Sequence, residues 1–595
     1  MANDFSQVEA FAGLDEAGLQ ALQDATEPIA VKGGDYLVRY GEEADTLYLV
    51  STGRFYVQLS NGRVVAEIGA GEPVGELAFF SGGVRTADVR ASRDSTVYRL
   101  TRAAYDSVVS TYPGIADSIL STVSARLAIA TRSARAMEAK PGKVVALIPA
   151  AGAPLPEGFA ERLCAALARY DEPRMVTVAD KPDGVSADSE GFGRWLGELE
   201  RSARRTILVA GGDEQWDRAI ARNSDDLIIV APLFEEECGR SDLEDYAIPL
   251  FLRANRTLLL WREHERQEIV GSGRWLDSRN VKLHHHVPLD SDAAFARVGR
   301  FLAGRANGVV LAGGGALGCA HVGVMQALLE NDIPIDFYGG TSAGAAMGGA
   351  LAQGLTPEQT IEQMQDMFIV KKAMKRVTVP VHSILDPRVF DEQLELRYSN
   401  KDIADLPYNF FGVSTNLSTN SVYVHRRGPL WHAVRASGSL PTILPPFITK
   451  EGDILVDGGV LDNIPVMIMR EAKAGPNVVV SLRSDAGEEW RLDTKYSSLR
   501  SRGKLLADII FRRKPKHDFP SIVEIMSRSM VVSSASVVRD SLSQADVLLL
   551  PPIPETMKIL DWHLGRDLSE TARTYTTQRI IEHEALAEMK DAGSA

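Results

Sequence analysis

"LAGGGALGCAHVGVMQALLENDIPIDFYGGTSAGAAMGGAL", residues 311–351, decides the reading of this chain. It runs strand, glycine loop, helix, strand, sharp turn, helix. The turn Gly340-Thr341-Ser342-Ala343-Gly344 fits G-x-S-x-G, in which a serine is lifted on a tight strand-to-helix bend. "IDFYG" supplies the strand and "AGAAMGGALAQG" the helix. A Cβ on either flank of the serine would clash, and the helix N-terminus brings a positive dipole end to a developing oxyanion. Ser342 is therefore a candidate nucleophile.

The first loop, Gly313-Gly314-Gly315-Ala316-Leu317-Gly318, also fits G-x-G-x-x-G, so a dinucleotide site competes. Such a site wants an acidic residue at the end of the second strand. Asp336 lies at its start, and Ser342 takes the turn after it. The loop reads better as a row of N–H donors, with Gly314 and Gly315 facing an oxyanion. The serine also needs a base. His321 sits in the helix after the loop and is expected to pack there. His382, His425 and His432 have no motif around them. His284, His285 and His286 read as a strand edge rather than a metal site, and no metal is expected. Asp457, followed by Gly458 and Gly459 after the strand "DILV", is the stronger candidate. A dry Ser-Asp dyad is chemically competent when desolvation raises the carboxylate's basicity.

In that order and spacing, "GGGALG", "GTSAG" and "DGG" resemble the patatin-like phospholipase family. "VRASGSLPTILPPF", "EIMSRS" and "VLLLPPI" with "MKILDWHLGRD" resemble its neuropathy target esterase branch, as does the "LLLWRE" and "RWLDSR" stretch ahead of them. The resemblance implies acyl-ester cleavage of a lipid, a phospholipid or lysophospholipid, by nucleophile Ser342 and base Asp457, with no cofactor for catalysis. The family usually carries Arg or Lys where this chain has Leu317. A weakly active scaffold that binds lipid and nucleotide is the alternative.

Residues 1–140 read as a β-roll with helical flanks, its short strands punctuated by glycines at 34, 41, 53, 62, 69, 71 and 75. Within it, Gly75-Glu76-Leu77-Ala78 and Arg85-Thr86-Ala87 resemble the phosphate cassette of cyclic-nucleotide-binding domains. This implies cAMP or cGMP as a regulatory ligand, with Arg85 on the phosphate and Glu76 on the ribose. A helix over 113–139 is expected to carry its signal. Residues 141–305 alternate buried parallel strands ("KVVALIPA", "RTILVAG", "DLIIVAP", "RTLLLWRE") with amphipathic helices, an α/β domain of unknown role. Its "PAAGAP" loop lacks the Gly-Lys-Ser/Thr ending of a triphosphate site. Residues 306–595 again read as α/β, and the resemblance implies that they are a patatin-like α/β hydrolase domain of this multidomain α/β chain.

Composition sets the outer bounds. The 595 residues carry a net charge of −14, which argues against nucleic acid as a partner. Three cysteines make no disulfide framework and suit a reducing cytoplasm. The start has no signal-peptide pattern, and no uncharged apolar run is long enough to span a bilayer. Two basic, apolar stretches, 369–380 and 495–517, make peripheral membrane contact an expectation.

Overall fold

The computed structural model describes residues 16–59, 64–116, 143–187, 189–482 and 522–590. Most of the helix expected over 113–139, from residue 117 on, and the basic stretch 495–517 lie outside the described residues. The chain divides into two compact units, one built from residues up to Ala306 with Arg470–Ala474, the other from the remainder. Among the described residues, no helix is long and apolar enough to cross a membrane.

The first unit opens with two four-stranded antiparallel sheets, ordered Glu27–Val31, Ser95–Thr101, Thr46–Thr52, Pro73–Val74 and Tyr36–Val38, Asp88–Ala91, Arg54–Gln58, Val64–Gly69. Alternating residues turn inward, so Val50, Phe55, Ile68, Val74, Val89 and Val97 form one core. A six-stranded parallel sheet follows, ordered Pro173–Val176, Arg205–Val209, Val144–Pro149, Asp226–Pro232, Arg256–Arg262, Leu283–Pro288. Its four inner strands are the apolar runs read from sequence. The two outer ones are short or polar: "PRMV" begins with proline, and "LHHHVP" holds the histidine run on an edge strand. Edge strands need only one apolar face, which is why their pattern is weak.

A buried ionic cluster joins the roll to this sheet. Arg93, on the loop that passes from strand Asp88–Ala91 in one sheet to Ser95–Thr101 in the other, is paired with Glu200 and lies 3.4 Å from Asp225. Asp225 also accepts the N–H groups of Lys143 and Val144 at 2.9 and 3.0 Å. Burial alone would raise the Asp225 pKa, but Arg93 and Arg54 outweigh it and hold the carboxyl below its ordinary value. The loop at "PAAGAP" is filled from within: Ala151 N–H donates to Glu244, and Glu244 is paired with Arg279, both fully buried. A carboxylate of the chain itself thus takes the Ala151 N–H of this loop.

The second unit is an eight-stranded mixed sheet among the described residues. Its order is Phe447–Ile448, Ile454–Asp457, Asn409–Asn416, Phe337–Thr341, Gly308–Leu311, Asn477–Val480, Val547–Leu549, with Ser421–His425 also on Asn409–Asn416. The last strand, from "VLLLPPI", joins in parallel. Helix Cys319–Glu330 packs on helix Gly565–Glu582. The approach is close at Gly323, where a Cβ would stand 1.8 Å from the Ser569 carbonyl oxygen.

Candidate active site and regulatory site

The serine turn is built by steric exclusion. Ser342 caps helix Ala343–Ala352 with φ 54° and ψ −117°, a conformation that costs on the order of 1–3 kcal/mol for a residue with a Cβ. Gly344 allows it, because a Cβ there would lie 2.0 Å from the Leu311 carbonyl oxygen. At Gly340 a Cβ would lie 2.6 Å from the Gly344 carbonyl carbon. Ser342 N–H donates to Ser437 Oγ at 2.7 Å, which locks the bend from outside the strand.

Strand register brings the aspartate to the serine. Thr341 pairs with Val413, and the next residue, Ser414, pairs with Asp457 on the neighbouring strand. Gly458 lets that strand end close in, since a Cβ there would meet the Val413 carbonyl oxygen at 2.4 Å. Asp457 is 1% exposed. Its Oδ1 accepts the Gly459 N–H at 2.8 Å, while Oδ2 has no hydrogen-bond partner among the described residues. Burial pushes its pKa up to about 6, with the nearby Ser342 hydroxyl and the Gly459 N–H pulling the other way. The serine hydroxyl is therefore beside the carboxylate without a well-formed hydrogen bond to it.

The first glycine loop passes the same point. A Cβ on Gly313 would stand 3.1 Å from Ser342 Cβ and 2.5 Å from Asn463 Oδ1, and one on Gly318 would meet Ala343 Cβ at 2.6 Å. The Gly314 and Gly315 N–H groups donate to no acceptor among the described residues, whereas Gly313 N–H goes to the Asn463 carbonyl and Ala316 N–H to that of Ile559. Leu317 is 4% exposed, and Leu482 lies across Gly314, so the loop carries an apolar cover where the family usually has a cation.

No histidine serves Ser342 among the described hydrogen bonds. His321 is bonded to the Ala312 carbonyl at 2.8 Å, and burial pulls its pKa down to about 4. His425 is bonded to Ser414 Oγ, and burial takes it down to about 3. His286 meets Ser272, and His382 lies on an exposed loop. Among the described residues no acidic, histidine and cysteine side chains cluster to hold a metal ion.

Sequence reasoning passed over the supports of this site. Ser437 holds the Ser342 N–H, and the Ser439 carbonyl accepts the Asp457 N–H at 2.9 Å. Buried Arg435 bonds to Ser439 and Asp391. Burial also raises Asp462 to about 6, and its carbonyl accepts the Thr341 hydroxyl. The signal was present in "VRASGSLP", where small polar residues alternate around a glycine, but nothing local assigns them to Ser342.

In the roll, Gly75 has φ 83° and begins the short helix Glu76–Ser81. Leu77 is exposed and Ala78 buried; Thr86 is exposed, and Ala87 is half-buried. Arg85 does not reach outward. It is 3% exposed, and its guanidinium donates to the carbonyl oxygens of Gly75 at 3.0 Å and Thr46 at 2.5 Å.

Residues 309–470 match the patatin-like phospholipase family and residues 28–112 the cyclic nucleotide-binding domain. An uncharacterized NTE family protein of Mycobacterium tuberculosis is 30% identical over 487 residues, 80% of this chain and 79% of that protein. Patatin-like phospholipase domain-containing protein 7 of Mus musculus is 28% identical, over 80% of this chain and 39% of that protein. Human patatin-like phospholipase domain-containing protein 6 is 27% identical, over 91% of this chain and 44% of that protein. An N-terminal cyclic-nucleotide-type roll and a C-terminal patatin region lie on one chain, and this chain belongs to the NTE family.

Proposed function

We propose that the protein is a serine acyl hydrolase acting on phospholipid or lysophospholipid esters, regulated by a cyclic nucleotide on its roll. The observation that supports it most is a strained Ser342 beside a buried Asp457 whose Oδ2 is unpartnered and whose pKa is about 6. Asp457 Oδ2 takes the Ser342 hydroxyl proton as Oγ attacks the ester carbonyl. The oxyanion is held by the Gly314 and Gly315 N–H groups. On collapse, the C–O bond to the leaving alcohol breaks, and Asp457 returns its proton to that alcohol. Water then attacks the acyl-serine with Asp457 again as base, releasing fatty acid and restoring Ser342.

Cyclic AMP or cyclic GMP would bind across Gly75–Ala78 and Arg85–Ala87, its phosphate drawing Arg85 away from its two carbonyls. Action is expected at a cytoplasmic lipid surface. A fluorophosphonate should label Ser342, and a panel of lipids tested with wild type and Ser342→Ala, with and without each nucleotide, checks both halves. Turnover retained by Ser342→Ala would remove the nucleophile assignment. Rates unmoved by either nucleotide would remove the regulatory one.

A further inference from the structure

The basic stretch beginning at Ile369 takes a definite shape. The chain leaves the turn Asp366–Val370 through Lys371, Lys372 and Lys375, all exposed, and then folds back on itself. Val377 pairs with Leu385 in an antiparallel bridge, Thr378 N–H donates to the Ile384 carbonyl at 3.0 Å, and Asp386 N–H to that of Arg376 at 2.8 Å. A tight turn at Pro380, closed by Val381 N–H on the Val379 carbonyl, ends the hairpin. Its base is anchored: Ser383 and Leu385 are buried, and Arg376 is 3.6 Å from Asp386. Its tip is bare, with Val377, Val379 and Val381 at 71%, 75% and 73% exposure and Val370 at 65%.

Val377 and Val379, two residues apart on the extended arm, share one side, and Val381 follows them across the turn, so three apolar side chains stand in water on one projection. Singly exposed apolar residues are ordinary; three within five residues on one hydrogen-bonded hairpin are not. Lys371, Lys372 and Lys375 have no ion pair among the described residues, in a chain whose net charge is −14. Cations beside short apolar side chains fit the anionic interface of a bilayer, where the lysines meet headgroups and the valines the acyl boundary. The hairpin's base also touches the catalytic region: Ile384 and Leu385 N–H groups donate to the carbonyls of Thr442 and Ile443 at 2.8 and 3.0 Å. Those residues lie just after Ser439, whose carbonyl holds the Asp457 N–H.

We propose that the hairpin 376–386, with Lys371, Lys372 and Lys375, is the element that docks this protein on an anionic lipid surface, beside the strand end that carries Asp457. This rests on the lipid-hydrolase reading for its purpose but not for its test. The full chain is sedimented with vesicles of phosphatidylcholine, and with vesicles containing about one-third phosphatidylglycerol. Wild type and Ser342→Ala should bind the anionic vesicles alike, and salt should weaken them alike. Val377→Asp/Val379→Asp/Val381→Asp should lower partition by about tenfold or more, and Val→Ser at the same positions by less. Lys371→Glu/Lys372→Glu/Lys375→Glu should abolish the preference for anionic vesicles. Unchanged melting temperatures would show the fold intact. Binding by the valine variants equal to wild type overturns the proposal. So does failure of wild type to bind either vesicle. Failure of the hydrolase reading would instead show as vesicle binding without turnover.

Discussion

The Ser342 region and the Arg85 region are both recognisable from short glycine-bearing motifs, yet they stand in opposite states. At Ser342 the proposed parts stand unsatisfied among the described residues: a bent serine, a buried carboxylate oxygen without a partner, and two N–H groups without an acceptor. At Arg85 the cation is satisfied by its own backbone, on the Gly75 and Thr46 carbonyls. A site that waits with unpaired groups favours the charge that develops in a transition state. A site that has paired its cation must give up those bonds to a ligand, which reduces affinity but makes binding a conformational event. The difference is the one expected if the first is a catalytic centre and the second a sensor, as proposed above.

Three experiments would break or sharpen that contrast, the largest effect first. Asp457→Ala should lower lipid-ester turnover by about 10³-fold or more, and adding Ser342→Ala should cost little beyond that, because a dyad acts as a unit. Additive losses, measured as kcat/KM, would mean the two residues do not work together. Arg85→Ala should weaken cyclic-nucleotide binding by about 10- to 150-fold, the worth of roughly 1.5–3 kcal/mol in a charge-assisted bond. Calorimetry on the full chain measures it. A loss much smaller than this would show that releasing the Gly75 and Thr46 carbonyls offsets most of the gain at the phosphate.

The third concerns pH and is the smallest. Folding raises the Asp457 pKa from 3.8 to about 6, so the folded state favours the protonated form. That preference contributes stability at low pH and loses it as pH rises through about 6, where the buried carboxylate must ionise. Asp457→Asn removes the cost of ionisation. Its melting temperature should exceed wild type by roughly a few degrees at alkaline pH and match it near pH 4. In wild type, kcat/KM should fall about tenfold per pH unit below the Asp457 pKa. A flat profile there, with intact protein, would place the base elsewhere.

Much of this was legible because it is local. G-x-S-x-G, the triple glycine and Asp-Gly-Gly mark places where a Cβ would strike backbone, as Gly344 and Gly458 show. Continuous apolar runs announced the inner parallel strands, and glycine-punctuated alternation announced the roll. Edge strands such as Pro173–Val176, and the added strand Val547–Leu549, were missed because a strand covered on one face, or only three residues long, leaves little period to read.

The sequence by itself determined the motifs, the fold class and the residue types available for chemistry, since steric exclusion and side-chain period act over a few neighbouring residues. Only the tertiary structure decided what those residues do for one another. Strand register set Asp457 beside Ser342, and the surrounding core dried the carboxylate enough to raise its pKa. Two backbone carbonyls turned Arg85 inward, and the hairpin's return left its valines in water. Desolvation and hydrogen-bond competition are sums over atoms distant in the chain, so no stretch of sequence carries them.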